Sequence, residues 1–199
     1  MKKIDRREKG FTLLEAVLVI GIIFVISGIA IVQSFGSTEN YVAGSAMDIV
    51  VSQLRVARGL AISQRRSVQV TFNQTTVPYS ISYQIQPAPG SKEALGTLNT
   101  AVLPNSALFL METGVPNTPM NFTLCGTNPI CIGNVGGGPV YMQFSSTGQF
   151  TDNTGINVLN GTIFVGIPNQ VTSARAITIL GGTGRIREYV WTGSLGWAQ

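Results

Sequence analysis

The sequence predicts an α+β protein in which a long N-terminal helix packs on an antiparallel β-sheet head. Three observations carry this. Residues 11–32 form an apolar run broken by one charge, Glu15. Residues 33–66 keep apolar side chains at i, i+3 and i+4, the spacing of one helix face. From residue 67 the period changes to two, with Gly- and Pro-rich breaks, which is the pattern of strands and turns. Only 11% of the residues are charged, well below the ~25% of ordinary soluble domains. That suits a membrane segment plus a loop-rich head.

Residues 1–10 read as a basic leader. Lys2, Lys3, Arg6, Arg7 and Lys9 stand there against Asp5 and Glu8. The formal charge of the chain is +4, from 13 basic and 9 acidic residues. Without the leader, 13 − 5 = 8 basic and 9 − 2 = 7 acidic residues remain, a balance of +1. Overall basicity is therefore no reason to expect nucleic-acid binding. Such a case must rest on where the remaining arginines sit.

The apolar run of residues 11–32 reads as a transmembrane anchor. A helix of this length spans ~33 Å, enough for a hydrocarbon core of ~30 Å. Lysines and arginines stay on the cytoplasmic side, so the leader faces inward and the head faces outward. This is not an ordinary secretory signal, where a small-residue cleavage site follows the apolar stretch. The small-residue junction here, Gly10–Phe11, precedes it. Cutting there removes the charges and keeps the anchor. A carboxylate inside such a segment costs on the order of 2–3 kcal/mol and defaults to a functional role. The best partner for Glu15 is the amine of another copy's N-terminus; the alternative is a charge snorkelling to the membrane surface.

The stretch Lys9-Gly10-Phe11-Thr12-Leu13-Leu14-Glu15 resembles the processing site of the type IV prepilin family. The resemblance implies a pilin-like fold, cleavage after Gly10 by a prepilin peptidase, and N-methylation of Phe11. It also implies that Glu15 is the assembly glutamate, pairing with the N-terminal amine of the adjacent subunit. Many major subunits of such filaments carry a proline within the anchor helix. This anchor has none, only Gly21 and Gly28, which argues against a major subunit.

Residues 33–66 read as an amphipathic continuation of the helix. Met47, Val50, Val51, Leu54, Ala57, Leu60 and Ala61 form its core face. Arg55, Arg58 and Arg65 fall largely elsewhere, as a solvated face or as a contact surface for a filament neighbour or phosphates. Residues 67–199 form the head. Residues 67–73 and 79–86 alternate cleanly, with turn residues between them. Further candidate strands are 107–111, 120–125, 140–144, 162–167, 174–180 and 185–191. Residues 87–97 and 126–139 read as longer loops. The sheet is either one antiparallel sheet or two small ones.

Cys125 and Cys131 are the two cysteines. They are too few for a zinc site, and no histidine accompanies them. If the head lies outside the cytoplasm, a disulfide is the natural reading; the alternative is two free thiols.

The final third resembles the GspH/FimT family of minor pseudopilins and pilins. The resembling pieces are Phe144-Ser145-Ser146-Thr147-Gly148, the strand ending near Ile167, residues 174–180, and Gly184-Arg185-Ile186-Arg187. Residues 87–139 match nothing nameable. The resemblance implies a minor subunit of a type II secretion system or type IV pilus, built into the filament or its tip. Its partners would be the prepilin peptidase, other pilins or pseudopilins, the inner-membrane assembly platform and membrane lipid. The chain would pass once through the bacterial cytoplasmic membrane with its head in the periplasm.

A second reading attaches to Arg185 and Arg187. One residue apart on a strand, they point the same way, and Ile186 points into the core. Two guanidiniums on one exposed edge suit a phosphate backbone. In FimT-like minor pilins, a Gly-Arg-x-Arg motif in this place implies binding of double-stranded DNA during uptake in natural transformation. Arg175 would add a third charge. A solvent-facing strand with no ligand fits the same residues.

Enzyme chemistry finds no footing. The chain lacks histidine, the commonest general base. Its carboxylates are scattered without paired spacing. Gly136-Gly137-Gly138 lacks the Lys and Ser/Thr of a phosphate-cradling loop. Serines and threonines have no accompanying base. No cofactor is expected.

Overall fold

The computed structural model describes residues 12–88, 90–91, 94–117, 119, 122, 126–132, 135–136, 140–152 and 154–199. The side chains of residues 30–37, 135–136 and 140 are outside that description. The chain divides into two compact units, Met1–Thr38 and Glu39–Gln199.

A single helix, α1 (Leu13–Gln64), contributes to both units. It starts at Thr12, whose Oγ1 accepts the Glu15 N–H at 3.3 Å. Thr12-Leu13-Leu14-Glu15 has the spacing of a capping box. In the first unit, the side chains of residues 12–29 are all exposed. Among the described residues, no helix is long and apolar enough to cross a membrane. The expected span of residues 11–32 lies only partly within that description. Its apolar side chains from Leu13 to Ile29 rise ~26 Å at 1.5 Å per residue, short of a ~30 Å core.

The second unit holds the rest of α1 and the head. The expected helix face is the observed one. Met47, Val50, Val51, Leu54, Ala57 and Ala61 are buried, joined by Ala43 and Ala46, while Leu60 is half-buried. Burying a side chain such as Leu54 contributes roughly 1.5–3 kcal/mol. The helix ends at Gln64, two residues before the expected boundary, because Arg65 turns left-handed at φ 53. The Arg65 N–H donates to the Ile62 carbonyl at 3.3 Å and the Arg66 N–H to the Ala61 carbonyl at 3.1 Å. That is a Schellman closure with arginine where glycine is usual.

The head comprises two antiparallel sheets. The first has the order β3-β2-β1-β6-β7, built from β1 (Val68–Asn73), β2 (Ser80–Ile85), β3 (Asn99–Val102), β6 (Val140–Phe144) and β7 (Phe150–Thr151). The second has the order β11-β10-β9-β8-β4-β5. Its strands are β4 (Ile130–Ile132), β5 (Val135–Gly136), β8 (Gly161–Val165), β9 (Arg175–Leu180), β10 (Arg185–Trp191) and β11 (Trp197–Ala198). Both sheets share one core with the helix. Val70, Phe72, Ile81, Met142 and Phe144 from the first meet Leu54, Ala57 and Ala61, as do Ile163, Ile177 and Ile179 from the second. Strand β1 alternates buried and half-buried residues, as its sequence predicts. Strand β8 is buried throughout, because its other face is covered too: Phe164, Ala176, Tyr189 and Cys131 pack with Met111 and Trp197.

Residues 126–139, expected as a loop, contain β4 and β5. Residues 107–111 form no strand. Strand β4 occupies the edge of β8 at Gly161–Ile163, leaving only its far end free. There Leu108 bridges Gly166, and the Leu110 N–H donates to the Phe164 carbonyl at 3.2 Å. The sequence pattern does not predict the short strands β3, β7 and β11. Most of the expected strand 120–125 lies outside the described residues.

Two local devices shape the loops. The Asn73 side chain accepts from the Thr75 and Thr76 N–H groups and so sets the β1–β2 turn. Asp152 closes the loop after β7. Its carboxylate accepts from Thr154 Oγ1 at 2.7 Å, from Asn157 Nδ2 at 2.6 Å, and from the Ile156 and Asn157 N–H groups. The Thr154 and Asn157 side chains hold its pKa down to about 2.

Candidate functional site: the hairpin tip and its arginines

The site is built around the β9–β10 hairpin. Its turn is Gly181-Gly182-Thr183-Gly184, closed by the Gly184 N–H donating to the Leu180 carbonyl at 2.7 Å. Two of its glycines are required by their surroundings. A Cβ on Gly181 would lie 2.4 Å from the Leu159 carbonyl oxygen. Gly184 has φ +62, and a Cβ there would lie 2.1 Å from the Gly148 carbonyl oxygen. Gly148 also has a positive φ, +81. The two glycine turns therefore touch, backbone against backbone.

Arg58 fastens that contact to the helix. Its Nη2 donates to the Thr183 carbonyl at 2.9 Å and its Nε to the Gly148 carbonyl at 3.3 Å. The pieces 144–148 and 184–187 lie far apart in the sequence. The fold brings them together under one guanidinium.

Strand pairing then fixes which way each arginine points. Arg185 pairs with Leu180, Arg187 with Thr178 and Tyr189 with Ala176, so these share one face of the sheet. Arg185, Arg187 and Tyr189 border a groove with Phe122 on that face. The intervening residues, Ile186 and Glu188, point towards α1. Ile186 packs against the core, as expected. Glu188 accepts an ion pair from Arg55. On this side, Arg55, Arg58, Gly59 and Ile62 of α1 face Thr183, Arg185 and Ile186 across a second groove. Arg185 thus borders both grooves.

Arg175 is not brought to this pair. It pairs with Val190, five residues along β9 from Leu180, or ~17 Å at 3.3–3.4 Å per residue. It also lies on the opposite face of the sheet. The side chain is buried. Its guanidinium donates to the Thr172 and Ala174 carbonyls at 2.9 and 3.0 Å and reaches Asn40 at 3.5 Å. Burial pushes its pKa down. Its placement is structural: it ties β9 to the helix.

The remaining predicted residues are more dispersed. Gly10 and Phe11 lie outside the described residues. Glu15 is exposed in the first turn of α1, where a negative charge also complements the helix dipole. The Thr-x-x-Glu spacing that marks a helix start is legible in the sequence, beside the assembly pairing and the snorkelling charge expected of Glu15. Cys131 is buried and disulfide-bonded, and Cys125 lies outside the described residues. Among the described residues, no cluster of His, Cys, Asp and Glu is placed to hold a metal ion.

Residues 5–31 match the prokaryotic N-terminal methylation motif. No curated protein matches the chain. Two crystal structures of the type IV minor pilin FimU from Pseudomonas aeruginosa (strain PAO1) are similar in structure. One, in space group P21, is 16% identical, with a TM-score of 0.43, covering 78% of this chain and 92% of that chain. The other, in space group P65, is 17% identical, with a TM-score of 0.45, covering 78% and 97%.

Proposed function

From a type IV pilin-like chain, with the prepilin methylation motif on a long helix and antiparallel sheets behind it, we propose a minor pilin or pseudopilin of the GspH/FimT type. The observation that carries this reading is register. The matched motif spans residues 5–31, so the basic leader, the Gly10–Phe11 junction, the Thr12 cap, Glu15 and the apolar helix fall in one order. In this reading the leader is removed after Gly10 and Phe11 is N-methylated. Residues 11–32 anchor the subunit in the cytoplasmic membrane, with the head outside. The anchor then leaves the lipid for a helical bundle, where Glu15 pairs with the N-terminal amine of a neighbour. Outside the cytoplasm, the Cys131 disulfide takes Cys125 as its partner. The protein works by assembly, with no substrate turned over.

The test separates the two roles open to Glu15. Amine pairing needs the charge, so Glu15→Ala and Glu15→Gln should both fail to enter filaments sheared from cells. A capping role alone needs only a hydrogen-bonding side chain. Normal incorporation of Glu15→Gln would therefore remove the pairing.

A second reading is a DNA-binding minor pilin on the same scaffold, serving uptake. It is favoured by Arg185 and Arg187 sharing one face with no carboxylate paired to either among the described residues. Affinity for duplex should then fall with salt at a slope of about −0.9 per phosphate contact in log–log form. Arg185→Ala with Arg187→Ala should flatten that slope by about two contacts. A slope unchanged by the double substitution would leave the assembly reading alone.

A further inference from the structure

The hairpin tip is a ridge with guanidiniums on both flanks. Arg187 lies on the outer flank, Arg55 and Arg58 lie on the helix flank, and Arg185 borders both. All of them belong to the second compact unit. Their electrostatic standing differs. Arg58 is committed to two backbone carbonyls. Arg185 and Arg187 have no paired carboxylate among the described residues. Arg55 is held by Glu188, the one carboxylate on this ridge among the described residues.

We propose that the nucleic-acid site extends across the ridge to α1, with Arg55 as a further phosphate contact, and that Glu188 is its built-in competitor. This rests on the second reading above. In the empty site the Glu188 carboxylate occupies the Arg55 guanidinium. When a phosphodiester backbone lies over the hairpin, a phosphate takes that place and Glu188 is released. The pair is suited to exchange. The Arg55 side chain is 62% exposed and that of Glu188 31%, and surface pairs of this kind hold only weakly. A guanidinium binds phosphate as readily as carboxylate, with the same two-pronged geometry. Charges spread along both sides of a convex tip suit a linear polyanion better than a single carboxylate side chain.

The experiment is a double-substitution cycle on the full chain in detergent, titrated with a short DNA duplex at two salt concentrations. Glu188→Gln removes the competitor and should tighten binding by up to about fivefold. Arg55→Gln should weaken binding and flatten the salt slope by about 0.9, while Arg55→Lys, which keeps the charge, should retain most of the slope. In the Arg55→Gln background the gain from Glu188→Gln should vanish. An equal gain with and without Arg55 would mean that Glu188 acts by general repulsion, and the competitor role would be wrong. If Arg185→Ala with Arg187→Ala abolishes binding while Arg55 and Glu188 substitutions change nothing, the DNA reading stands and the extension to the helix fails. If neither the unaltered chain nor Glu188→Gln binds duplex, the DNA reading fails and takes the extension with it.

Discussion

Single residues at the hairpin carry constraints that their neighbours do not. Gly184 is one. It needs a left-handed φ, and its missing Cβ makes room for the Gly148 carbonyl. Alanine there would force apart two turns that Arg58 holds together. Gly184→Ala should destabilise the head by at least ~2 kcal/mol, in the range of backbone strain combined with lost packing. Thermal unfolding followed by near-ultraviolet circular dichroism would read this directly. The glycine of the Gly-Arg-x-Arg stretch is thus explained by packing, whatever the arginines bind. Arg175 gives the opposite lesson. Its charge invited grouping with Arg185 and Arg187, yet it is buried on the other face. A count of arginines does not say which are available.

At the scale of elements, the helix is limited by its C-terminus and the sheets by competition for edges. Arg65 closes α1 in a left-handed conformation, which costs an L-residue roughly 1–2 kcal/mol relative to glycine. Arg65→Gly should therefore raise head stability, by about 1 kcal/mol after the added flexibility of the unfolded chain is subtracted. Denaturant midpoints of the two proteins would show it, and a fall on substitution would mean that the Arg65 side chain contributes more than its backbone costs. The edge of β8 illustrates competition. Residues 107–111 look more like a strand than Ile130–Ile132 do, being longer and equally apolar. The shorter segment takes the ladder positions. The longer one runs past the end of the ladder, close to where Met111 covers Phe164.

The chain joins one long helix to two antiparallel sheets, and its charge is unevenly distributed along the sequence. Five of its 13 basic residues sit in residues 1–10. Removing residues 1–10 should take the formal side-chain charge from +4 to +1, since 5 basic and 2 acidic residues leave together. Intact-mass measurement of the chain from cells with and without prepilin peptidase checks this. The processed form should begin at Phe11 and carry one added methyl group. A chain that keeps its leader in both strains would end the prepilin reading. Among the described residues, Arg55, Arg58 and Arg185 share one groove at the hairpin.

Short-range features of the fold follow from local patterns in the chain. The helix face from Met47 to Ala61, the alternation of β1 and the inward Ile186 follow from periods of 3.6 and two. The remaining features depend on contacts between segments far apart in the chain. The contact between Gly148 and Gly184, the Arg58 clamp across |i−j| of 90 and 125, and the Arg55–Glu188 pair across 133 join residues distant in the chain. The same holds for the burial of Arg175 and the displacement of residues 107–111 by β4. Each depends on which segment wins a shared edge or face, and that contest is settled by the packing of the whole core rather than by any one segment's own preference.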